Sequence, residues 1–524
     1  MVRLFFISIF ICWEDGNGFN NAESGGQIVR RTRCNFVLIF SFFFLLSGCA
    51  SFLTRPAPPS FDQPEPCREF FNRLDELIKG VDVRDASSES IPGSPYLRTN
   101  RFLAALKKDL KDDERKEAWI RMMQELDLKS REKELHNLPD QAISSLDFKD
   151  GKKLDRESLY VQVKSCSSML LNHDRSRLDF DAAPSPIVPD EYSCLLRIMG
   201  LYPFVALPVA LVTESSREKI RKRFETDLKD LPIEGKLKAF IPEKKIFFPE
   251  EAVREIIEAS MRNPLAVPMP DGIQVEKLVW SFAPILIQDV AAPYDRLGEV
   301  VWKEGQVEVN PEKPTVYYYL SHAFLKEKPI LQINYVIWYS ERAGESSPWI
   351  EKGHLDGLTI RISLDDQGKV FMVDVENNCG CYHFFAPQEE KVEKVLSRPL
   401  RFDPFVAQRL PAIPSGERLG IRINSGWHQV QRLISVGYLS DSIPYALVPY
   451  DVLEALLHED GQTASIFNSK GIVKGSERVE RFILFPMGVP SIGSMRQRGH
   501  QATELIGKEH FDNPCLFDQN FLFR

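Results

Sequence analysis

Gly353-His354-Leu355-Asp356-Gly357-Leu358-Thr359-Ile360-Arg361-Ile362-Ser363-Leu364-Asp365-Asp366-Gln367-Gly368-Lys369-Val370-Phe371-Met372-Val373-Asp374-Val375 is the stretch that decides the fold. Leu358, Ile360, Ile362 and Leu364 share one face, and Thr359, Arg361 and Ser363 the other, which is the period of a strand. Val370 to Val375 reads as a second strand, and Asp365-Asp366-Gln367-Gly368 between them is turn chemistry. The two strands are expected to pair as a hairpin. With Asp366 and Gln367 at the centre of the turn, Asp356 falls opposite Asn377 and His354 opposite Cys379. Directly opposed residues have Cβ atoms about 4.5–5.5 Å apart.

Working outward, Thr315 to Leu320, Ile330 to Tyr339, Leu419 to Ile423 and Arg481 to Phe485 read as further strands, and Asp451 to His458 as one helix. Upstream the period lengthens. Phe70, Leu74 and Leu77 recur at helical spacing, as do Phe102, Leu103, Leu106 and Leu110, then Trp119, Met122, Met123 and Leu126. Pro249-Glu250-Glu251 opens another helix, with proline and acids in its first turn. The fold class is α+β. A mainly helical domain over 67–270 precedes a β-rich antiparallel α+β domain over 271–524. Leu195 to Val212 is apolar but interrupted by Arg197, Pro203 and Pro208. It reads as a buried segment, and in second place as a surface that touches lipid.

The hairpin leads into Cys379-Gly380-Cys381-Tyr382-His383. His354, Cys379, Cys381 and His383 are the ligand types of a zinc site, with Asp356 as a further ligand or as orienter of a histidine. The same residues suit nucleophilic catalysis: Cys379 or Cys381 attacking, His354 or His383 as base, Asp374 or Asp356 as orienter. A third reading is structural, with the cysteines in disulfides and His383 packed; a fourth is thiol–disulfide exchange. His428, His500 and His510 lie downstream as possible additions, and Arg496, Arg498 and Lys508 as a weak anion site. No Gly-rich phosphate loop, His-Glu-X-X-His or Gly-X-Ser-X-Gly elbow is present. A net charge of −8 argues against nucleic acid as the main partner.

Near the start, Arg30, Arg31 and Arg33 precede the apolar run of Phe36 to Phe40 and Phe42 to Leu46, the basic and apolar regions of a secretory signal. The ending Leu46-Ser47-Gly48-Cys49 resembles the lipobox of bacterial lipoproteins. That resemblance implies cleavage before Cys49, lipidation (palmitate among the chains) at Cys49 and export, with Ala50 after the cysteine matching outer-membrane rather than inner-membrane retention. Residues 29–48 are then the signal peptide. The run Leu4 to Cys12 and the polar stretch after it are foreign to such a signal, and no Met falls between Met1 and Cys49. Val29 is the expected start, with 1–28 an extension outside the product. Residues 49–66 hold five prolines, a stiff tether. Six further cysteines in an oxidising compartment permit three disulfides, with Cys166–Cys194 the local choice.

The functional expectation is a lipid-anchored envelope protein that binds or scaffolds another component, protein or glycan. The alternative is a zinc-type hydrolase at the mouth of the 354–383 hairpin.

Overall fold

The computed structural model describes residues 65–146, 155–175, 188–398, 401–437 and 439–524. The extension, the signal, Cys49 and the tether up to residue 64 lie outside the described residues. Glu65 and Pro66, the last two residues of the tether, already belong to the first helix.

Three long helices build the N-terminal region: α1 Glu65–Val81, α2 Asp113–Asn137 and α3 Arg156–Asp174. In α1 the buried residues Phe70, Phe71, Leu74 and Ile78 follow the helical stripe. Asp112 caps α2 and Asp155 caps α3, each accepting a backbone N–H three residues on. The face of α2 toward the core also carries charge. Arg98 donates to both oxygens of Glu134 at 2.8 Å and to Asp127 at 3.1 Å, and all three are buried. Cys67 of α1 and Cys166 of α3 form a disulfide. The expected Cys166–Cys194 bridge is thereby corrected: sequence proximity chose the wrong partner, because packing of α1 against α3 brings a residue 99 positions away to a Cα distance of 5.2 Å.

Three more helices follow, α4 Tyr202–Glu225, α5 Glu250–Ser260 and α6 Gly272–Phe282. Glu250 and Glu251 stand in the first turn of α5, as expected, and Asp271 with Gln274 forms a capping box on α6.

The β-rich region is dominated by one ten-stranded sheet, with three two-stranded sheets beside it. Its strands are β1 Lys236–Pro242, β2 Ile285–Val290, β3 Thr315–Leu325, β4 Lys328–Arg342, β5 Gly353–Leu364, β6 Val370–Asn377, β7 Phe384–Pro387, β8 Arg418–Ile423, β9 Val430–Val436 and β10 Ile443–Pro449. The spatial order is β7-β6-β5-β4-β3-β10-β1-β2-β8-β9. The sheet is mixed: β10 runs parallel to both β3 and β1, and β8 parallel to β2, while the other neighbours are antiparallel. The fold is α+β, helical first and β-rich after. Strand β1, from the helical stretch, sits inside the sheet, and Gln63–Arg524 is one compact unit.

Leu358, Ile360, Ile362 and Leu364 of β5 join a core with Val253, Ile257 and Leu278 of α5 and α6 and Ile220 of α4. The opposite face is polar, yet Thr359, Arg361 and Ser363 are buried as well. The chain after β10 covers it: Arg361 lies 3.6 Å from the ring centre of Phe511 and donates to the Phe511 carbonyl.

The β5–β6 hairpin forms, but its register differs from the expected one. Asn377 faces Leu358, not Asp356. Two extra residues account for this. The turn holds three residues, Asp366-Gln367-Gly368, closed by Asp365 N–H to the Lys369 carbonyl, and Phe371 is bulged out between Val370 and Met372. An offset of two is even, so every side chain keeps its face. Two other segments are also corrected. Arg481 to Phe485 is no strand: Glu480–Ile483 is a short helix leading into a 3-10 turn at Phe485–Met487. Leu195 to Val212 is helical and exposed rather than buried, with Leu195, Ile198, Leu211 and Val212 all beyond 60 %.

Candidate active site

Beyond Asn377 the chain turns sharply. Gly380 N–H donates to the Asn377 carbonyl at 2.7 Å and Asn377 N–H to the Cys381 carbonyl at 2.9 Å. Gly380 has φ +91°, and a Cβ there would meet the Ala502 carbonyl oxygen at 2.5 Å, so only glycine fits. Asn378 is clamped into the sheet: its side-chain amide donates to the Ile337 carbonyl and accepts from Thr359. This fixed turn presents Cys379, buried, and Cys381, half-buried, side by side.

Two guanidiniums stand behind the thiols. Arg342, at the end of β4, makes a bidentate pair with Asp356 at 2.8 and 2.9 Å and donates to Glu351 at 2.7 Å. Arg478 donates to the Leu355 carbonyl and to Asp356. Interaction with the neighbouring Cys381, then the charges of Arg342 and Arg478, lower the pKa of the Cys379 thiol against the opposing effect of burial. The pKa of Cys381 is correspondingly raised, chiefly by its interaction with Cys379 and by burial.

The turn borders a cavity of about 450 Å³. Val209, Val212 and Ile220 of α4, with Phe384, Phe405 and Leu484, give it an apolar wall. Cys379, Cys381, His383, Glu480 and Glu504 are among its polar lining residues. Glu480 Oε1 and Glu504 Oε2 are buried without a hydrogen-bond partner. Burial, helped by the negative charges near Cys379 and Glu351, pushes Glu480 up to about 8. Burial and the neighbouring Glu509 push Glu504 up to about 7. Burial thus favours the protonated form of both carboxyls, which can offer a hydrogen bond to whatever enters.

The residues singled out from sequence are distributed as follows. Cys379 and Cys381 come together at the cavity. His383 borders it but gives Nε2 to Asp374 at 2.8 Å, and Asp374 is itself held by Arg361, so the expected His–Asp orienting pair forms. His354 points elsewhere: its Nε2 donates to the Val307 carbonyl at 2.8 Å, on the hairpin Glu299–Lys303 and Gln306–Asn310. Asp356 is fully engaged with Arg342, Arg478 and His428. Among the described residues no three His, Cys, Asp or Glu side chains are placed to hold a metal ion. His428 lies beneath the site with both ring nitrogens on carboxylates, Asp356 at 2.8 Å and Asp295 at 3.2 Å, and stacks on Tyr339 at 3.9 Å. Burial opposes its charge, but those two bonds outweigh it and raise its pKa. His500 and His510 belong elsewhere, the first bonded to Glu191 and the second edge-on to Tyr192. Arg496 pairs with Glu191, Arg498 with Glu454 and Lys508 with Asp190, so all three basic residues of the suggested anion site are paired with carboxylates.

Sequence reasoning missed Arg342, Arg478, Glu480 and Glu504. Glu351 was within sight, two residues before Gly353, but nothing in its spacing announced a partner.

No family model, curated protein or solved structure matches the chain.

Proposed function

We propose that the protein is a lipid-anchored component of the cell envelope, held through Cys49 in the outer membrane, that binds an apolar ligand in the cavity beside Cys379. The observation that carries the binding role is the cavity itself. Its volume falls within the roughly 300–1,000 Å³ of small-molecule sites, and a mainly apolar lining with some polar groups is their usual composition. Glu480 and Glu504, each with one buried oxygen that has no partner, suit a ligand whose apolar body carries a polar group, such as a carbonyl or carboxyl. The lipobox resemblance carries the anchor and the location.

The test uses cis-parinaric acid, a fluorescent single acyl chain, titrated into the full-length protein. Saturable binding is expected, weakened at least about tenfold in Val209→Trp, which fills the cavity, a loss of ~1.4 kcal/mol or more. Equal binding by both proteins removes the cavity from the proposal.

The acidity of Cys379 favours a second reading in which the dithiol is reactive. Cys379 is expected to be alkylated by iodoacetamide ahead of Cys381, with a pH midpoint below the ~8.5 of a free thiol. Peptide mass spectrometry after alkylation between pH 5 and 9 reads this directly. An ordinary midpoint at Cys379, or prior reaction of Cys381, leaves the pair a structural feature of the turn.

A further inference from the structure

We propose that the helical hairpin formed by Cys194–Met199 and the first half of α4 rests on the surface of a lipid bilayer and turns the cavity toward it. The hairpin is tied to the body at its base. Gly200 lies against Pro486, where a Cβ would stand 2.5 Å from the proline, and Ser193 N–H donates to the Gly488 carbonyl. Its outer surface has no such cover. Leu195, Ile198, Met199, Leu207, Leu211 and Val212 are 55 % to 70 % exposed. Isolated apolar residues on a surface need no explanation, but a contiguous cluster of this kind marks an interaction site.

Charge separates the tip from its base. From Cys194 to Thr213 the only charged residue is Arg197. It turns inward, donating to the Met487 and Gly507 carbonyls, with its guanidinium over the rings of Tyr192 and Tyr202. From Glu214 onward α4 becomes charged: Arg217 and Arg223 turn to the body, over Phe402 and Trp427, and Arg221 pairs with Glu218, which leaves Lys219 and Lys222 beside Glu214 and Glu225. An uncharged apolar tip followed by a charged base is the arrangement of a segment that lies at the interface, apolar side chains among acyl chains and charged groups at headgroup level. Among the described residues no helix is long and apolar enough to cross a membrane, so the contact is superficial.

The occupant follows from the chain around it. The inference rests on the anchor proposed at Cys49. From Cys49 to Glu65, where α1 begins, a proline-rich tether spans up to about 50 Å at ~3.1 Å per residue, enough for the body to pivot onto the leaflet that holds it. The patch also continues into the cavity: Pro208 and Val212 of α4 and the exposed Ile483 belong to both. An apolar ligand entering there passes from bilayer to cavity without crossing open water.

The test places photoreactive p-benzoylphenylalanine at Leu211, and separately at the exposed Glu304, in the full-length chain expressed in a Gram-negative host and irradiated in its own membranes. Palmitate incorporation at Cys49 is measured in the same samples. Phospholipid adducts, read by mass spectrometry, are expected at Leu211 at five-fold or greater yield over Glu304. Equal yields at both positions, or none at Leu211, overturn the docking. A cross-linked dimer through Leu211 in place of lipid overturns it as well and makes the patch an interface between copies. Absence of label at Cys49 removes the anchor instead, and the yield at Leu211 still decides the docking.

Discussion

Asp356→Ala is expected to destabilise the folded protein by about 3–5 kcal/mol, the cost of breaking a buried ion pair by removing one partner. Asp356 is fully buried and accepts from Arg342 twice, from Arg478 and from His428. Its loss leaves Arg342 with Glu351 alone, His428 with Asp295 alone and Arg478 with the Leu355 carbonyl in place of a carboxylate. Asp356→Asn keeps the shape and some of the bonds, so it should cost less, and the difference between the two measures charge. The pH dependence has a definite sign on each side. Burial alone would raise the Asp356 pKa, but Arg342, the His428 bond and Arg478 hold it well below the ordinary carboxylate range. Its contribution is present above the unfolded value of ~3.9 and is lost as the pH falls below that. His428 is shifted up, so its contribution is complete below ~6.5 and is lost as the pH rises through its folded value. The cluster therefore contributes most between about pH 4 and 6.5. Urea titrations across pH 3–9 check this. An Asp356→Ala protein that unfolds at the wild-type midpoint throughout would show that the cluster carries no net stability.

The second large effect is expected at the disulfide. Cys67–Cys166 spans 99 positions and ties α1 to α3 within the N-terminal core. A loop of about 100 residues gives ~4.7 kcal/mol in the chain-entropy account, and measured losses run about 2–5 kcal/mol. Cys67→Ser should lower the melting temperature of the N-terminal region markedly, and reductant should have the same effect on wild type and none on the variant. Identical melting of wild type in oxidising and reducing buffer, or a peptide map showing Cys166 linked to Cys194, would contradict the bridge. Because neither cysteine of the bridge lines the cavity, ligand binding at Val209 and Glu504 should survive its loss at temperatures where both proteins remain folded.

The sequence was readable where a local pattern reports local structure. Alternation on β5 and β6 announced the hairpin, and the stripes of α1, α2 and α5 announced helices. The cysteine turn was visible from its composition. What stayed hidden depends on distant partners. Arg342 and Arg478 converge on Asp356 from 14 and 122 positions away, and no periodicity encodes that. Glu480 and Glu504 enter the cavity from the C-terminal segment, whose turns and short helices carry little periodic signal. The apolar stretch at Leu195 was legible in content but not in direction: hydrophobicity alone does not say whether a face meets the core or the outside. The register of the hairpin failed by two residues because one extra residue in the turn and one in a bulge together leave no mark in the hydrophobic pattern when the faces still match.

The place of β10 in the sheet has a consequence for how the molecule is made. Strands β3 to β7 form one block and β1, β2, β8 and β9 another, and β10 alone joins them, parallel to each. Residues 443–449 come late, after every other strand of the sheet. A growing chain thus holds two unjoined half-sheets, each with an open edge, until more than four-fifths of it has been synthesised. Parallel closure between segments so far apart is slow, since the entropy of closing long loops is lost before contacts return it. Until residues 443–449 arrive, the two half-sheets must each keep their inner edge from pairing with anything else, so the last strand decides when the sheet is finished.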